Sequence, residues 1–208
     1  MNAEQKMGFR FGMIAFIATI SYIIVQLLQI LGVMHFPYDE IFIYGTSLCI
    51  SIPFLLAMLA FHYCTQHSRR IWSHGALIFS TLYVVYVIAN YVVQLATVIP
   101  AKINGTIEEI RVLEQTPHSL FWNFDALGYI FMGFANLMAI PALKRTGLQK
   151  WVRISFIANA AAVPLISIVY FHPNYSTQLL YLGFVWAITA PFSILMLTLS
   201  FKESRFSD

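Results

Sequence analysis

One acidic residue, Asp125, lies within the otherwise uncharged stretch FWNFDALGYIFMGFANL at residues 121–137. An ionisable side chain inside a membrane is costly, so it usually belongs to a functional site. A carboxylate in that position can hold a cationic group, or it can exchange a proton as a general acid or base. For the second chemistry, His118 precedes it in the same segment. Asp125 and His118 are therefore the candidate catalytic residues if the protein is an enzyme.

Uncharged polar residues recur at helical spacing in the same apolar parts of the chain. Residues three or four apart share one face of a helix, so each set forms a stripe. Each of Gln29, Gln94 and Asp125 lies about five or six residues from the end of its stretch that is predicted to face outward. The helix rise therefore places all three about 8 Å below the outer face. The stripes therefore predict one polar cavity near the outer face. The candidate ligand-binding residues are Gln26, Gln29, Asn90, Gln94, Tyr129 and Asn136.

The same residues have a second interpretation, because amides in membrane helices often bond neighbouring helices to each other. One such hydrogen bond contributes about 0.6 kcal/mol. An Asp125 close to the membrane surface could equally reach water. Both alternatives stay open at the level of the sequence.

The composition indicates an integral membrane protein. Of 208 residues, 59% are hydrophobic and 10% are charged, which is far too apolar for a soluble domain. A membrane-spanning helix needs about 20 mostly apolar residues, and six stretches meet this length or come close to it. The loops between them are short, so we expect one all-α membrane domain over residues 1–208. The stretches are residues 11–34, 41–63, 71–101, 120–143, 154–171 and 178–201.

The positions of Lys and Arg predict the orientation, because cytoplasmic loops carry an excess of them. With a cytoplasmic N-terminus, ten of the twelve positive charges face inward, and only Lys102 and Arg111 face outward. Both termini are then cytoplasmic, and we expect a bacterial inner membrane. The net charge of +3 thus reflects topology and does not indicate nucleic-acid binding. The inward residues are Lys6, Arg10, Arg69, Arg70, Lys144, Arg145, Lys150, Arg153, Lys202 and Arg205.

A weak internal repeat relates the second, fourth and sixth stretches. Each contains a glycine that is followed eight residues later by a proline. A repeat in every second span predicts three helical hairpins. Glycine and proline are common in membrane helices, so a chance origin stays open. The pairs are Gly45 and Pro53, Gly133 and Pro141, and Gly183 and Pro191.

The longest loop, residues 102–119, is predicted to face outward. Thr106 and Glu109 have the spacing of a capping box, which predicts a short amphipathic helix over about 106–115 on the membrane surface. Thr116 and Pro117 have the pattern of an N-cap followed by the first helical residue, so the fourth helix is expected to begin there.

No cofactor is predicted. The six histidines lie near the ends of the apolar stretches, whereas a pair of membrane haems would need histidines that face each other well inside the bundle. No stretch contains a lysine for a retinal Schiff base, and the spacings of His, Cys and Glu match no metal-binding motif. Haem and metal ions are therefore not expected, and the oligomeric state stays open.

The sequence favours a small membrane protein that binds an amphipathic or lipid-like molecule in an outward-facing polar and aromatic cavity. A transporter or a sensor would satisfy this description, and 18 Phe and 11 Tyr residues can supply the aromatic lining. The main alternative is an intramembrane enzyme that uses Asp125 on a lipophilic substrate. A third is a structural or accessory subunit whose polar stripes only join helices. The expected partners are membrane lipids and a lipophilic small molecule.

Overall fold

The computed structural model describes residues 1–203 and is all-helical over that range, with seven α-helices and no strand. Six helical segments are long and apolar enough to cross a membrane, which confirms the six predicted apolar helices. Together with the composition they indicate an integral membrane protein. Arg205, one of the predicted inward charges, lies outside the described residues. Spans one to six are Ala3–Ile30, Tyr38–Cys64, His67–Asn104, Leu120–Ala142, Gly147–Phe171 and Thr177–Ser200.

Span three contains a local change in helical pitch. An α-helix over Arg70–Val93 is followed by a single π-helical turn at Gln94–Val98 and by a short α-helix over Ile99–Asn104. A π turn adds a residue to one turn of the helix and is frequent at functional sites. The side-chain stripe predicted for this span is therefore interrupted at Gln94.

The spans form a closed ring. Each span packs against the spans before and after it in the sequence, and span one also packs against span six. Short connections join consecutive spans, so neighbours run in opposite directions. We call the end with residues 105–119 the long-loop end. We call the end with the first residues of the chain and the connection at 143–146 the terminal end.

Span one begins earlier than hydropathy predicts, at Ala3 instead of Phe11, because its first turn is capped. The Asn2 side chain accepts a hydrogen bond from the Gln5 backbone N–H at 2.8 Å, and the Gln5 side chain accepts one from the Asn2 N–H at 3.0 Å. This capping box satisfies N–H groups that have no partner within the helix. Gln5 also donates to the backbone carbonyl of Glu203 at 3.1 Å, which ties span one to the end of span six.

The terminal half of the ring is filled by side chains. Phe54, Met58 and Phe61 of span two are at most 1% exposed, and they belong to one hydrophobic core with residues of the other spans. Between membrane helices such packing replaces the hydrophobic effect as the main source of association. Other fully buried members of the core are Met132, Leu143, Val152, Phe156, Ile194, Leu197 and Phe201.

Two glycines let spans one and six approach each other closely at the terminal end. A Cβ atom on Gly8 would overlap the ring of Phe201, and one on Gly12 would overlap the Thr198 hydroxyl. Small residues four positions apart are a common device for close packing of membrane helices. Gly183, toward the other end of span six, would place a Cβ atom with no neighbour within 4 Å. The close approach is thus confined to the terminal half.

The amphipathic helix predicted over 106–115 is replaced by a short 3₁₀ helix, Ile107–Leu113, which is interrupted by one non-helical residue. The predicted capping box at Thr106 is absent, because Thr106 completes the end of span three. Gly105 has a left-handed backbone with φ of 72°, and the Thr106 N–H donates to the carbonyl of Ala101 at 2.9 Å. This hydrogen-bond pattern is usual at a helix C-terminus that ends in glycine.

Span four begins at Leu120 with Ser119 as its N-cap, and not at the predicted Thr116. The Ser119 hydroxyl oxygen accepts a hydrogen bond from the Trp122 N–H at 3.1 Å. The prediction is wrong because His118 lies between the two positions with φ of 67°. A right-handed α-helix cannot include that left-handed conformation, so the helix starts only after it.

Candidate functional site

A cavity of about 550 Å³ lies in the long-loop half of the ring, next to the filled core. All six spans contribute to its wall, together with Gln115 and Pro117 of the long loop. Its size is within the range of small-molecule sites, about 300 to 1,000 Å³. Ten of the lining residues are aromatic: Tyr22, Tyr44, Tyr91, Trp122, Tyr129, Tyr170, Tyr175, Tyr181, Phe184 and Trp186.

Asp125 lies in the wall of this cavity and is 5% exposed. The Tyr91 hydroxyl of span three donates to Oδ1 at 2.6 Å, and the Tyr170 hydroxyl of span five donates to Oδ2 at 2.5 Å. Gln115 of the long loop lines the same cavity. Hydrogen bonds to an ionised acceptor are short and strong, so this carboxylate joins spans three, four and five. Both partners are neutral hydroxyl groups, so neither supplies a positive charge beside the carboxyl group.

Two glycines of span four allow spans three and five to pack closely against it. Gly128 lies about one helical turn after Asp125. A Cβ atom on it would lie 2.9 Å from the side chain of Val87 in span three. A Cβ atom on Gly133 would overlap the side chain of Val163 in span five. Glycine permits this close approach of helices. The hydroxyl groups of both neighbouring spans can therefore reach the carboxylate.

A row of hydrogen bonds runs along the cavity face of span one. The Tyr129 and Tyr22 hydroxyl oxygens are 3.4 Å apart, and Tyr22 donates to Gln26 Oε1 at 3.2 Å. Gln26 donates to Gln29 Oε1 at 2.9 Å, and Gln29 donates to Asp39 Oδ2 at 3.0 Å. Gln26, Gln29 and Tyr129 line the cavity. Each of the two amides uses its oxygen and its nitrogen in the row, which fixes its orientation.

Asn90 and Gln94 are buried but do not line the cavity. They face the long loop instead. Asn90 donates to Gln115 Oε1 at 2.9 Å. Gln94 donates to the Leu113 carbonyl at 2.8 Å and accepts the Gln115 N–H at 3.2 Å. Backbone groups taken from water need such partners, so these two amides hold residues 113–115 in place.

Asn136 lies outside the cavity lining, in the interface of spans four, five and six. Its amide donates to Asn159 Oδ1 at 2.7 Å, and the Asn159 amide donates to the Thr189 hydroxyl at 3.3 Å. Amides commonly provide this interhelical bonding in membranes. The structure therefore places Asn136 between these helices and outside the cavity lining.

His118 is exposed and belongs to the long loop that precedes span four. It is not part of the cavity lining, whereas Asp125 is. An acid–base pair needs its two groups within hydrogen-bond reach, directly or through one water. The structure does not place His118 at the cavity, and the hydrogen-bond partners of Asp125 are Tyr91 and Tyr170.

An ion-pair cluster holds the long loop against the cavity. Lys102 Nζ is 2.9 Å from a carboxylate oxygen of Glu40 in span two and 2.7 Å from one of Glu114 in the loop. The three side chains are 20% to 22% exposed, so salt screens these pairs less than it would at an open surface. Glu40 and Gln115 both line the cavity. Residues 113–117 are thereby held as a partial cover.

The ionisable side chains of the cavity wall, tyrosines apart, are acidic. Glu40 and Asp125 are its acidic residues, and no Lys, Arg or His among residues 1–203 lines it. Glu40 has a cationic partner, Lys102, which lies outside the lining. Asp125 has no cationic partner in the lining. A carboxylate and aromatic rings are the groups that bind organic cations in proteins. The arrangement can therefore hold a positively charged group beside Asp125.

Sequence patterns miss Tyr91, Tyr170 and Gln115. Tyr91 directly follows Asn90 in the sequence, so it lies on a different face of the helix. A pattern based on amides that share the face of Asn90 therefore does not include it. Tyr170 could have been found, because it continues the face of Asn159 by helical steps of four, three and four residues. Gln115 lies in a loop without periodicity, so no sequence signal identifies it.

Comparison with protein-family models, with curated proteins and with solved structures gives no match to this chain. Within the part of the chain that the structure describes, no group of three or more His, Cys, Asp or Glu is arranged to hold a metal ion. The candidate functional site is therefore the cavity around Asp125.

Proposed function

We propose that this membrane protein binds an amphipathic small molecule with a positively charged head group. The observation that carries the proposal is the Asp125 carboxylate, which lies in an aromatic cavity whose lining offers it neutral donors and no cation. A bound ammonium group would compensate that charge in a site of low dielectric constant, where charge interactions are strong. Binding is the proposed step, and a carrier or a sensor would both use it.

The cavity offers the two kinds of surface that an amphipathic cation needs. The rings of Tyr129 and Trp186 meet edge to face with centroids 4.9 Å apart, and an aromatic face stabilises a desolvated cation by about 2 kcal/mol. Aliphatic residues such as Leu27 of span one and Leu180 of span six also line the cavity. The head group would lie beside Asp125, and the tail would lie between spans one and six.

The side of the ring between spans one and six gives such a molecule a route from the bilayer. The two spans pack closely at Gly12, in the terminal half. In the long-loop half both spans line the cavity, and Leu27 and Tyr181 are 46% and 62% exposed. Lipid tails are as apolar as leucine, so a lipid-like ligand can pass these side chains without leaving an apolar environment.

The orientation belongs to the same proposal: the long-loop end faces outward, and the terminal end faces the cytoplasm of a bacterial inner membrane. Residues 1–203 contain eleven Lys and Arg, which is the total of twelve less Arg205. All of them except Lys102 and Arg111 lie at the terminal end. An excess of Lys and Arg marks the cytoplasmic side.

The division of the ring into three hairpins of common origin is also part of the proposal. Gly45 and Gly183 occupy equivalent places in the repeat, and neither would place a Cβ atom within 4 Å of a neighbour. Gly133 instead packs against Val163. The surroundings of the glycines thus support a common origin of spans two and six. They give less support to a common origin that includes span four.

Cysteine labelling tests the orientation. In a background where Cys49 and Cys64 are serine, Glu108→Cys should react with a membrane-impermeant maleimide in intact cells, because Glu108 is exposed at the long-loop end. Arg69→Cys should react only after the membrane is permeabilised. Labelling at position 69 in intact cells would contradict the proposed orientation.

Binding of decyltrimethylammonium to the full chain in lipid nanodiscs tests the proposed function. We expect it to bind at least about tenfold more tightly than its neutral isostere with carbon in place of nitrogen, a difference of about 1.4 kcal/mol. The two compounds share shape and tail, so charge is the only variable. Tryptophan fluorescence reports binding, since Trp122 and Trp186 line the cavity. Equal affinities would show that charge recognition is not the function of this site.

A further inference from the structure

A second cavity, of about 560 Å³, lies at the terminal end, where the beginning of span three meets the connection of spans four and five. Four of its lining residues are basic: Arg69, Lys144, Arg145 and Arg153. No acidic residue of the described chain belongs to its wall. Arg69, Arg145 and Arg153 bring three guanidinium groups to one hollow, and a bound anion would relieve the repulsion among them.

Two of the arginines are positioned by the end of span four. Arg153 Nη1 donates to the Ile140 carbonyl at 2.9 Å, and Arg69 Nη1 donates to the Leu143 carbonyl at 3.5 Å. The last carbonyls of a helix lack partners within it and carry partial negative charge, so they attract guanidinium groups. A guanidinium has five N–H donors, and each of these bonds uses one. Further donors are available for an anion in the cavity that both arginines line.

The surroundings of this basic cavity are those of a membrane surface. Trp72 belongs to its wall and is 42% exposed, and the preceding residue, Ile71, is 72% exposed. Both lie in the first turn of the α-helix of span three. Tryptophan at the end of a membrane helix usually lies at the level of the lipid head groups. A ligand with an anionic head and apolar chains would meet complementary groups on both parts.

We propose that the basic cavity binds the phosphate of an anionic phospholipid head group. Basic pockets between membrane helices recognise anionic lipids in this way, and arginine can bind phosphate through two parallel hydrogen bonds. A soluble phosphate would meet the same charges but would leave Ile71 and Trp72 uncovered. The inference depends on the six apolar spans and is independent of the function proposed for the Asp125 cavity.

Lipid binding to the detergent-solubilised full chain, measured by native mass spectrometry, tests this inference. We expect phosphatidylglycerol to bind at least about tenfold more tightly than phosphatidylcholine. The double variant Arg69→Gln/Arg153→Gln should reduce that preference to less than about threefold. The control variant Lys6→Gln/Arg10→Gln removes two charges from exposed residues outside the basic cavity, so it should keep the preference.

Inorganic phosphate is the second probe, and it distinguishes a lipid from a soluble anion. Millimolar phosphate that stabilises the protein as strongly as phosphatidylglycerol would overturn the assignment to a lipid. An unchanged lipid preference in the double variant would overturn the site itself. If that variant does not fold, Arg145→Gln replaces it, and an unchanged preference there has the same meaning. Decyltrimethylammonium binding should be unaffected in each variant, so the two proposals fail separately.

Discussion

Replacing Asp125 with asparagine is expected to weaken decyltrimethylammonium binding at least about tenfold, a loss of about 1.4 kcal/mol or more, without changing the affinity for the neutral isostere. Asparagine has the size of aspartate and keeps one acceptor oxygen, so the shape of the cavity is preserved while its charge is lost. Tyr91 or Tyr170 would then face an amide donor, and one lost hydrogen bond costs about 0.6 kcal/mol in a membrane. Binding should therefore change far more than thermal stability.

Asp39→Asn is the matched control for this substitution. Asp39 is also a buried carboxylate, at 9% exposed, but it bonds to Gln29 and does not line the cavity. Its neutralisation should change the preference for the cation by less than about threefold. Tyr91→Phe is a second control, because it removes one hydrogen-bond donor to Asp125 and leaves the carboxyl group in place. It therefore separates the effect of the hydrogen bond from the effect of the charge. An Asp125→Asn protein with full affinity for the cation would exclude this residue from the site.

Gly12→Leu is expected to lower the free energy of unfolding by at least about 2 kcal/mol, since overpacking a filled interface typically costs 1 to 3 kcal/mol. Even a single Cβ atom at this position would overlap the Thr198 hydroxyl, which donates to the Ile194 carbonyl at 2.6 Å. A leucine side chain fits only if spans one and six separate at the terminal end. Reversible unfolding in mixed micelles, followed by far-ultraviolet circular dichroism, measures the loss.

Gly45→Leu is the control for the packing argument. It introduces the same side chain into another membrane helix, at a position where a Cβ atom would have no neighbour within 4 Å. Leucine has a higher helix propensity than glycine by somewhat less than about 1 kcal/mol, so this variant should be as stable as the original protein or slightly more stable. Equal stability of the Gly12→Leu and Gly45→Leu proteins would refute the close approach of spans one and six.

The helices and the burial of Asp125 could be predicted from the sequence because both depend on local properties. Length and hydropathy are sufficient to define a helix that can cross a membrane. The cost of a carboxylate in lipid favours its placement inside a bundle. Gln26, Gln29 and Tyr129 followed from periodicity, since their helices are regular at those positions.

The partners of the site carboxylate could not be predicted, because they depend on how the spans rotate and how closely they approach. Tyr91 and Asn90 are about 100° apart around their helix, and both are buried. The close contact of Gly128 with Val87 brings span four against the tyrosine side of span three. Gln115 reaches the site from a loop whose path is fixed by tertiary hydrogen bonds, which no local pattern encodes.

The filled terminal half of the ring makes the cavity a blind one. A molecule that reaches Asp125 has the core of Met58 and Phe61 between it and the terminal end, so in this conformation it leaves by the side through which it entered. A close-packed interior resists the displacement of such side chains. Under the proposed function, the cavity would exchange its ligand with one leaflet only, and its occupancy would follow the concentration of the ligand in that leaflet. Translocation would require a second conformation in which the core opens, whereas detection of the ligand would require none.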